Sequence, residues 1–155
     1  MKNSLLRKMT DDEFRLYFEK KIKRYTEVLS QNVHEEGEEP SSKALKQLNN
    51  LLPQGNKTPN HFLFNIYKDE HVKGFVWLKV EKEKKSAFLY EIYIFEEFRS
   101  KGFGTEVMNY IEEWLNKKEV HYLKLHVFGN NAGARRLYEK LGFGIVGVNM
   151  LKSIN

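Results

Sequence analysis

The feature that most restricts the fold is a β-strand, a glycine turn and a helix that follow one another between residues 88 and 115. The run Phe88–Phe95 is apolar and aromatic, which is typical of a strand. From Phe103 the apolar residues change to helical spacing, at positions 103, 107, 111, 114 and 115. Between the two lies Arg99–Gly104, with the sequence RSKGFG. The chain must therefore leave a sheet and enter a helix through a turn that contains two glycines.

This turn has the features of a phosphate-binding site. The first N–H groups of a helix have no helical partner and lie at the positive end of the helix dipole, where anions bind. Gly102 and Gly104 leave these groups uncovered, and Arg99 and Lys101 add positive charge beside them. The turn is not a dinucleotide-binding fingerprint, because Val107 occupies the place of the third glycine, and it lacks the Gly-Lys-Ser/Thr of a Walker loop. A purely structural bend is the remaining alternative.

A second segment, Asn131–Phe143, has the sequence NAGARRLYEKLGF, in which Tyr138 follows Asn131 by seven residues. Arg99–Gly104 resembles the Arg/Gln-x-x-Gly-x-Gly/Ala signature of the GNAT superfamily, the Gcn5-related N-acetyltransferases. Asn131–Phe143 is similar to that superfamily's other coenzyme A motif, and the two motifs stand in the family's order. The resemblance implies that acetyl-CoA is the donor substrate and that an acetyl group passes to an amine.

The predicted order of elements agrees with this resemblance. Together they imply an α+β fold of mixed α/β type, the GNAT fold, with a central, mostly antiparallel mixed sheet flanked by helices. The order is β-α-α-β-β-β-α-β-α-β, with an abbreviated final strand or hairpin after Phe143. A capping box, Thr10-Asp-Asp-Glu13, predicts the start of the first helix. The predicted bounds are Ser4–Lys8, Thr10–Ser30, Ser41–Leu52, His61–Tyr67, Val72–Val80, Ser86–Phe95, Gly102–Lys118, Tyr122–Phe128, Asn131–Leu141 and Phe143–Ile154.

The composition limits the class of protein. With 155 residues, 41% of them apolar, we expect a single domain over residues 1–155. No apolar run approaches the roughly 20 residues that span a bilayer, and the charged N-terminus is unlike a signal peptide, so we expect a cytoplasmic protein without a membrane partner. The net charge of +5 is dispersed with alternating sign, which favours collection of an anionic cofactor over nucleic-acid binding.

Cysteine and histidine usage restricts the chemistry. The absence of cysteine excludes a cysteine-linked acyl-enzyme and thiolate metal sites, so the acetyl group must pass directly from thioester to acceptor. The five histidines, at 34, 61, 71, 121 and 126, include no pair at metal-ligand spacing on a helix. We therefore expect no metal.

Glu91 is the candidate general base. An alkyl ammonium has a pKa of about 10 and must lose a proton before it attacks. Glu91 lies in an otherwise apolar strand, where burial would raise the pKa of its carboxyl group. The resemblance implies that an acidic residue at this place faces the acceptor. The alternative is that Glu91 pairs with a neighbouring cation, or binds the substrate amine without taking its proton.

Tyr138 is the candidate general acid, because a phenol can protonate the departing thiolate. It matches the family's catalytic tyrosine, although Ala134, Leu137, Tyr138 and Leu141 share one helical stripe and a core role is the alternative. The resemblance also implies a set of cofactor-binding residues. The β-strand backbone would pair with the pantetheine arm, and an N–H near Ile94 would stabilise the oxyanion. Asn131 would both cap its helix and contact the cofactor. These residues are Ile92, Tyr93, Ile94, Arg99, Ser100, Lys101, Gly102, Phe103, Gly104, Thr105 and Asn131.

The acceptor is left open as a small-molecule amine or a peptide. The acidic stretch Glu35–Glu39 and four tyrosines could attract an amine through charge and cation–π contacts, although a solvated loop is the simpler interpretation. A homodimer is also left open. The alternative function is a non-catalytic acyl-CoA-binding or sensor module, which would need Arg99–Gly104 but not Glu91 and Tyr138. The four tyrosines that could contact an amine acceptor are Tyr17, Tyr25, Tyr90 and Tyr93.

Overall fold

The computed structural model describes residues 4–32 and 36–154. It has the predicted α+β class, with a sheet of five strands covered by helices on both faces. The elements in chain order are β1 (Leu6–Lys8), α1 (Asp11–Asn32), α2 (Pro40–Leu51), β2 (His61–Lys68), β3 (His71–Glu81), β4 (Ser86–Ile94), α3 (Phe103–Lys117), β5 (Tyr122–Leu125) and α4 (Ala132–Lys140).

The sheet order follows the chain order, β1-β2-β3-β4-β5. The pairs from β1 to β4 are antiparallel and β5 runs parallel to β4. Asp69 and Glu70 form the turn between β2 and β3 with φ angles of 55° and 64°, which is the geometry that two-residue hairpins favour. The predicted antiparallel meander is thus confirmed.

The helices start where their sequences predict. At α1, Glu13 N–H donates to Thr10 Oγ1 at 3.2 Å and Thr10 N–H donates to Glu13 Oε1 at 2.8 Å, so the predicted capping box is formed. The apolar stripe of α3, including Val107 and Ile111, packs on one face of the sheet. Tyr17 of α1 and Leu48 of α2 pack on the other face.

The sheet opens between β4 and β5, and this opening positions the site. The two strands pair only from Ser86 to Leu89 on β4 and from Tyr122 to Leu125 on β5, whereas β4 continues to Ile94. β5 therefore ends three residues before its predicted end, because a strand without a partner cannot satisfy its backbone groups.

A β-bulge lies at the same point of β4. Leu78 of β3 is opposite Leu89 and Trp77 is opposite Glu91, so Tyr90 is an extra residue in β4. Tyr90 packs in the core cluster under α1 and α2, and Glu91 also contacts α1. The bulge thus directs two consecutive side chains to one face of the sheet.

The predicted final strand is not formed. Residues 143–154 have no helix or strand, and the large apolar side chains from Ile145 to Ile154 are exposed. Gly144 and Gly147 interrupt this run, and glycine weakens a strand interior, while β5 offers an edge of only four residues to pair with. Within residues 4–32 and 36–154, no helix has the length and apolarity needed to cross a bilayer.

Candidate active site

The segment of β4 beyond Leu89, the free segment of β4, presents backbone groups toward the opening that pair with no strand on that side. Phe95 N–H donates to Lys73 O at 2.9 Å, which directs the backbone of Phe95 toward β3. Because neighbouring residues of an antiparallel strand point their backbone groups to opposite edges, Ile94 and Ile92 point theirs into the gap beside β5. Arg99 Nε contacts Ile94 O from that side at 2.6 Å. The structure therefore leaves a strand edge free at the residues predicted to bind the pantetheine arm.

The glycine turn leads directly into α3. Ser100 and Gly102 have φ angles of 63° and 80°, and Gly102 is the residue before the first turn of the helix. Phe103 is buried and anchors the helix, whereas Arg99 and Lys101 are exposed, as are Ser100 and Thr105. The turn thus holds two cations in solvent beside the free N–H groups of α3.

Gly104 has no structural reason to be glycine. It lies in the first turn of α3, and a Cβ atom added there would meet nothing within 4 Å. The space in front of the helix is therefore open, and a side chain at this position would enter it. A glycine here allows a ligand to approach the backbone closely.

Asn131 and Tyr138 lie at the two ends of α4. Asn131 Oδ1 accepts from Ala134 N–H at 3.2 Å, so its predicted role as helix cap is confirmed. Tyr138 is half-buried and packs against Phe143, and it lines a cleft of about 820 Å³ between the end of β5, α4 and the C-terminal segment. No hydrogen bond of the Tyr138 hydroxyl is found among residues 4–32 and 36–154.

Glu91 lies at the centre of a charged cluster between β4 and α1. Its Oε1 accepts from Tyr17 Oη at 2.6 Å and from Arg24 Nη2 at 2.8 Å. Its Oε2 accepts from Arg24 Nε at 3.3 Å and lies 3.5 Å from Lys21 Nζ. The Glu91 side chain is only 12% exposed. Since a carboxylate offers about four acceptor positions, all of those of Glu91 are in use.

The predicted direction of the Glu91 pKa is wrong. Burial by itself raises the pKa of Glu91, but the charges of Lys21 and Arg24, with hydrogen bonds from Arg24 and Tyr17, outweigh burial and hold the pKa below its ordinary value. The base interpretation rested on burial alone, whereas the stated alternative, that Glu91 pairs with a neighbouring cation, agrees with its contacts to Lys21 and Arg24. Burial raises the pKa of Tyr138, and the negative charge of Glu91 adds to that rise, so Tyr138 stays protonated and lies within electrostatic reach of Glu91.

Lys21 and Arg24 were not predicted as site residues from the sequence. With Tyr17 they occupy positions i, i+4 and i+7 of α1, which lie on one face of a helix. The sequence shows this spacing, but it does not show the partner of these side chains, because Glu91 lies 67 residues from Arg24 and 74 residues from Tyr17. Of the acidic stretch 35–39, Glu35 lies outside the described residues, and Glu38 is paired with Lys46.

The sequence profile of the Acetyltransferase (GNAT) family matches residues 14–143 of the chain. The chain belongs to this family. The matched range includes the free segment of β4, the glycine turn and Tyr138. As a GNAT protein, the chain is an acetyl-CoA-dependent acyltransferase.

Relatives of this GNAT chain match along its length. It is 30% identical over 153 residues to the uncharacterized N-acetyltransferase YycN of Bacillus subtilis strain 168, which covers 97% of this chain and 98% of the relative. It is 27% identical over 152 residues to the uncharacterized N-acetyltransferase YdgE of the same strain, with coverage of 96% and 97%. The match therefore spans nearly all of both proteins.

Solved structures agree with the fold. The crystal structure of YycN has a TM-score of 0.90 to this chain at 29% identity, covering 97% of this chain and 98% of that one. The PaiA N-acetyltransferase of Thermoplasma acidophilum, solved in complex with coenzyme A, has a TM-score of 0.68 at 19% identity, with coverage of 93% and 91%. The second likeness is one of fold.

The residues of this GNAT site fit the family's donor, acetyl-CoA. The open space at Gly104 leaves room for a phosphate at the helix start, and the exposed Arg99 and Lys101 could pair with it. The free edge at Ile92 and Ile94 could pair with the amides of the pantetheine arm. In the described parts of the chain, no group of three or more metal-ligating side chains is found.

Proposed function

We propose that this GNAT enzyme transfers the acetyl group of acetyl-CoA directly to a primary amine of a small molecule or peptide, within a ternary complex. The observation that carries the proposal is the free segment of β4. This segment includes Glu91 of the charged cluster and leads into the glycine turn, and its Ile92 and Ile94 pack against the same core cluster as Tyr138. Donor, acceptor and a proton donor can therefore meet at one place.

The chain's backbone would hold and activate the donor. When bound, acetyl-CoA supplies an acetyl thioester, whose carbonyl carbon accepts the amine as the C–S bond breaks. Ile92 and Ile94 have backbone groups that point into the gap, and an N–H there can stabilise the negative charge that develops on the thioester oxygen. Arg99 donates to Ile94 O in the structure, so its guanidinium lies beside the strand edge with which the pantetheine arm would pair.

Tyr138 would protonate the leaving thiolate. Its hydroxyl has the raised pKa of a group that stays protonated near neutral pH, and its partial burial excludes part of the solvent around it. The proton passes from the phenol oxygen to the sulfur, and the phenol regains it from solvent after the product leaves. The acid role is supported by the match to the family's tyrosine and by a hydroxyl that has no hydrogen-bond partner within residues 4–32 and 36–154.

The base role of Glu91 stays a prediction, and its contacts favour the alternative role. A carboxylate with four occupied acceptor positions and a lowered pKa can take the amine proton only after one partner has left. We infer that Glu91 instead fixes α1 against β4 and sets the charge of the acceptor site. The amine then loses its proton to water.

The experiment is thiol release from acetyl-CoA across a panel of primary amines and peptides. Tyr138→Phe is expected to lower kcat by about 100-fold, the range for loss of a general acid, while the Kd for acetyl-CoA stays within about threefold. Tyr110→Phe is the matched control, because the Tyr110 hydroxyl pairs with Ser4 Oγ at 2.8 Å and takes no part in the site. It should retain full kcat.

Two outcomes would contradict the proposal. An enzyme that binds no acetyl-CoA would exclude the donor assignment. An enzyme that binds acetyl-CoA but releases no thiol with any acceptor would favour the sensor module. Equal kcat for the wild type and Tyr138→Phe would exclude the acid role alone.

A further inference from the structure

Two partly buried cations share one carboxylate at the acceptor side of the site. Lys21 Nζ lies 3.5 Å from Glu91 Oε2, and Arg24 Nη2 lies 2.8 Å from Glu91 Oε1. The side chains of Lys21 and Glu91 are each 12% exposed, and that of Arg24 is 24% exposed. The cluster therefore carries a formal charge of +1 in a place that is largely shielded from water.

No second carboxylate neutralises this charge within the described ranges 4–32 and 36–154. The other contacts of the two cations are aromatic. Lys21 Nζ lies 5.6 Å from the centre of the Tyr25 ring, and the Arg24 guanidinium lies 4.6 Å from the centre of the Tyr93 ring. The face of an aromatic ring attracts a cation but does not neutralise its charge.

The electrostatics of Lys21 agree with an uncompensated cluster. Burial lowers the pKa of Lys21, and the attraction of Glu91 only partly offsets this, while Arg24 lowers it further. Buried charges in proteins are normally paired, so an anion beside Lys21 would complete the arrangement.

The cluster lies where an acceptor would approach. Glu91 and Tyr93 belong to the segment of β4 beyond the end of β5, which is the segment proposed to hold the thioester. Arg24 stacks on Tyr93 and keeps the largest exposed fraction of the three charged side chains, so this side chain is open to a ligand. A bound group here would lie beside the reacting carbonyl.

We propose that the acceptor is an amine that also carries a carboxylate, such as an amino acid or a peptide, and that Lys21 and Arg24 bind this carboxylate. This inference rests on the proposed acetyl transfer. One negative charge matches the single excess positive charge of the cluster, which favours a carboxylate over a doubly charged phosphate. The same excess charge repels diamines and polyamines.

The test compares acceptors that differ only in this charge. Thiol release is measured with β-alanine and β-alaninamide, with 4-aminobutyrate and its amide, with glycylglycine and glycylglycinamide, and with 1,4-diaminobutane. For each acid that the enzyme acetylates, we expect kcat/KM to be at least about tenfold higher than for the corresponding amide. Lys21→Met should reduce this ratio to about threefold or less. Lys23→Met, an exposed lysine on the same helix, should leave the ratio unchanged.

Equal kcat/KM for acid and amide, or a preference for the diamine, would overturn the inference while leaving acetyl transfer intact. If no acceptor releases thiol, it is the proposed function that fails, and the anion site is tested by itself. Sodium acetate at constant ionic strength should then raise the Tm of the wild type but not that of Lys21→Met. Equal shifts, or none, would overturn the anion site.

Discussion

The Glu91→Gln substitution tests the charged cluster most directly. Glutamine keeps the shape of the side chain and can still accept from Tyr17, but it removes the counter-charge of Lys21 and Arg24. Removing one partner of a buried ion pair costs about 3–5 kcal/mol. Because the Arg24 side chain is 24% exposed and can turn toward water, we expect a smaller loss than that, of about 2–3 kcal/mol.

Urea unfolding at pH 7 measures this loss, and a double-mutant cycle assigns it. At roughly 2–4 °C per kcal/mol for a chain of this size, the Tm should fall by about 5–10 °C. Arg24→Met removes one of the cations that Glu91→Gln leaves unpaired. The double variant should therefore lose less than the sum of the single losses, by about 1–3 kcal/mol.

The pKa of Glu91 adds a pH signature. The pKa of Glu91 is lower in the folded than in the unfolded protein. Its ionised form therefore stabilises the fold above the ordinary carboxyl pKa of about 4.3, and this stabilisation is lost as the pH falls through the pKa of the folded protein. The stability of Glu91→Gln should accordingly decline less steeply below about pH 5. A loss under about 0.5 kcal/mol at pH 7, or strictly additive single effects, would refute the ion-pair role and restore the base interpretation.

Two glycine substitutions, with a third as control, test the strand packing and the glycine turn at the site. A Cβ added at Gly74 would lie 2.1 Å from Tyr93 O, so Gly74→Ala must push β3 away from β4. The free energy of unfolding in urea should fall by more than about 2 kcal/mol. Gly144→Ala is the control and should leave it unchanged, because a Cβ at Gly144 meets nothing within 4 Å. A neutral Gly74→Ala would show that the two strands can separate freely. Gly104→Ala should keep or raise stability by up to about 1 kcal/mol, through helix propensity, yet weaken acetyl-CoA binding about tenfold in a calorimetric titration. Unchanged binding would show that the open space at Gly104 does not serve the cofactor.

Local sequence signals predicted most of the elements and part of the site. The capping box at Thr10, the helical stripe from Phe103 and the cap at Asn131 each depend on residues a few positions apart, and all three are present in the structure. The glycine turn was also placed by sequence, whereas pairing of the pantetheine arm with Ile92 and Ile94 was implied only by the family resemblance.

The features that sequence missed depend on distant partners. β5 ends early because β4 diverges from it after Leu89, and the residues of β5 do not encode the path of β4. The pKa of Glu91 follows from Lys21 and Arg24, which reach it from another element across the sheet face. The segment after Phe143 has apolar residues but no strand, since a strand also needs an edge to pair with.

The single extra residue at Tyr90 has a consequence for how this enzyme can diverge. Beyond it, the side chains of Glu91 and Tyr93 face α1, where the acceptor is proposed to bind, whereas the donor is proposed to pair with the main chain of Ile92 and Ile94. Replacing a side chain on the first surface leaves the peptide groups on the second in place. Mutation can therefore retune the choice of amine over evolutionary time while the use of the thioester is inherited unchanged.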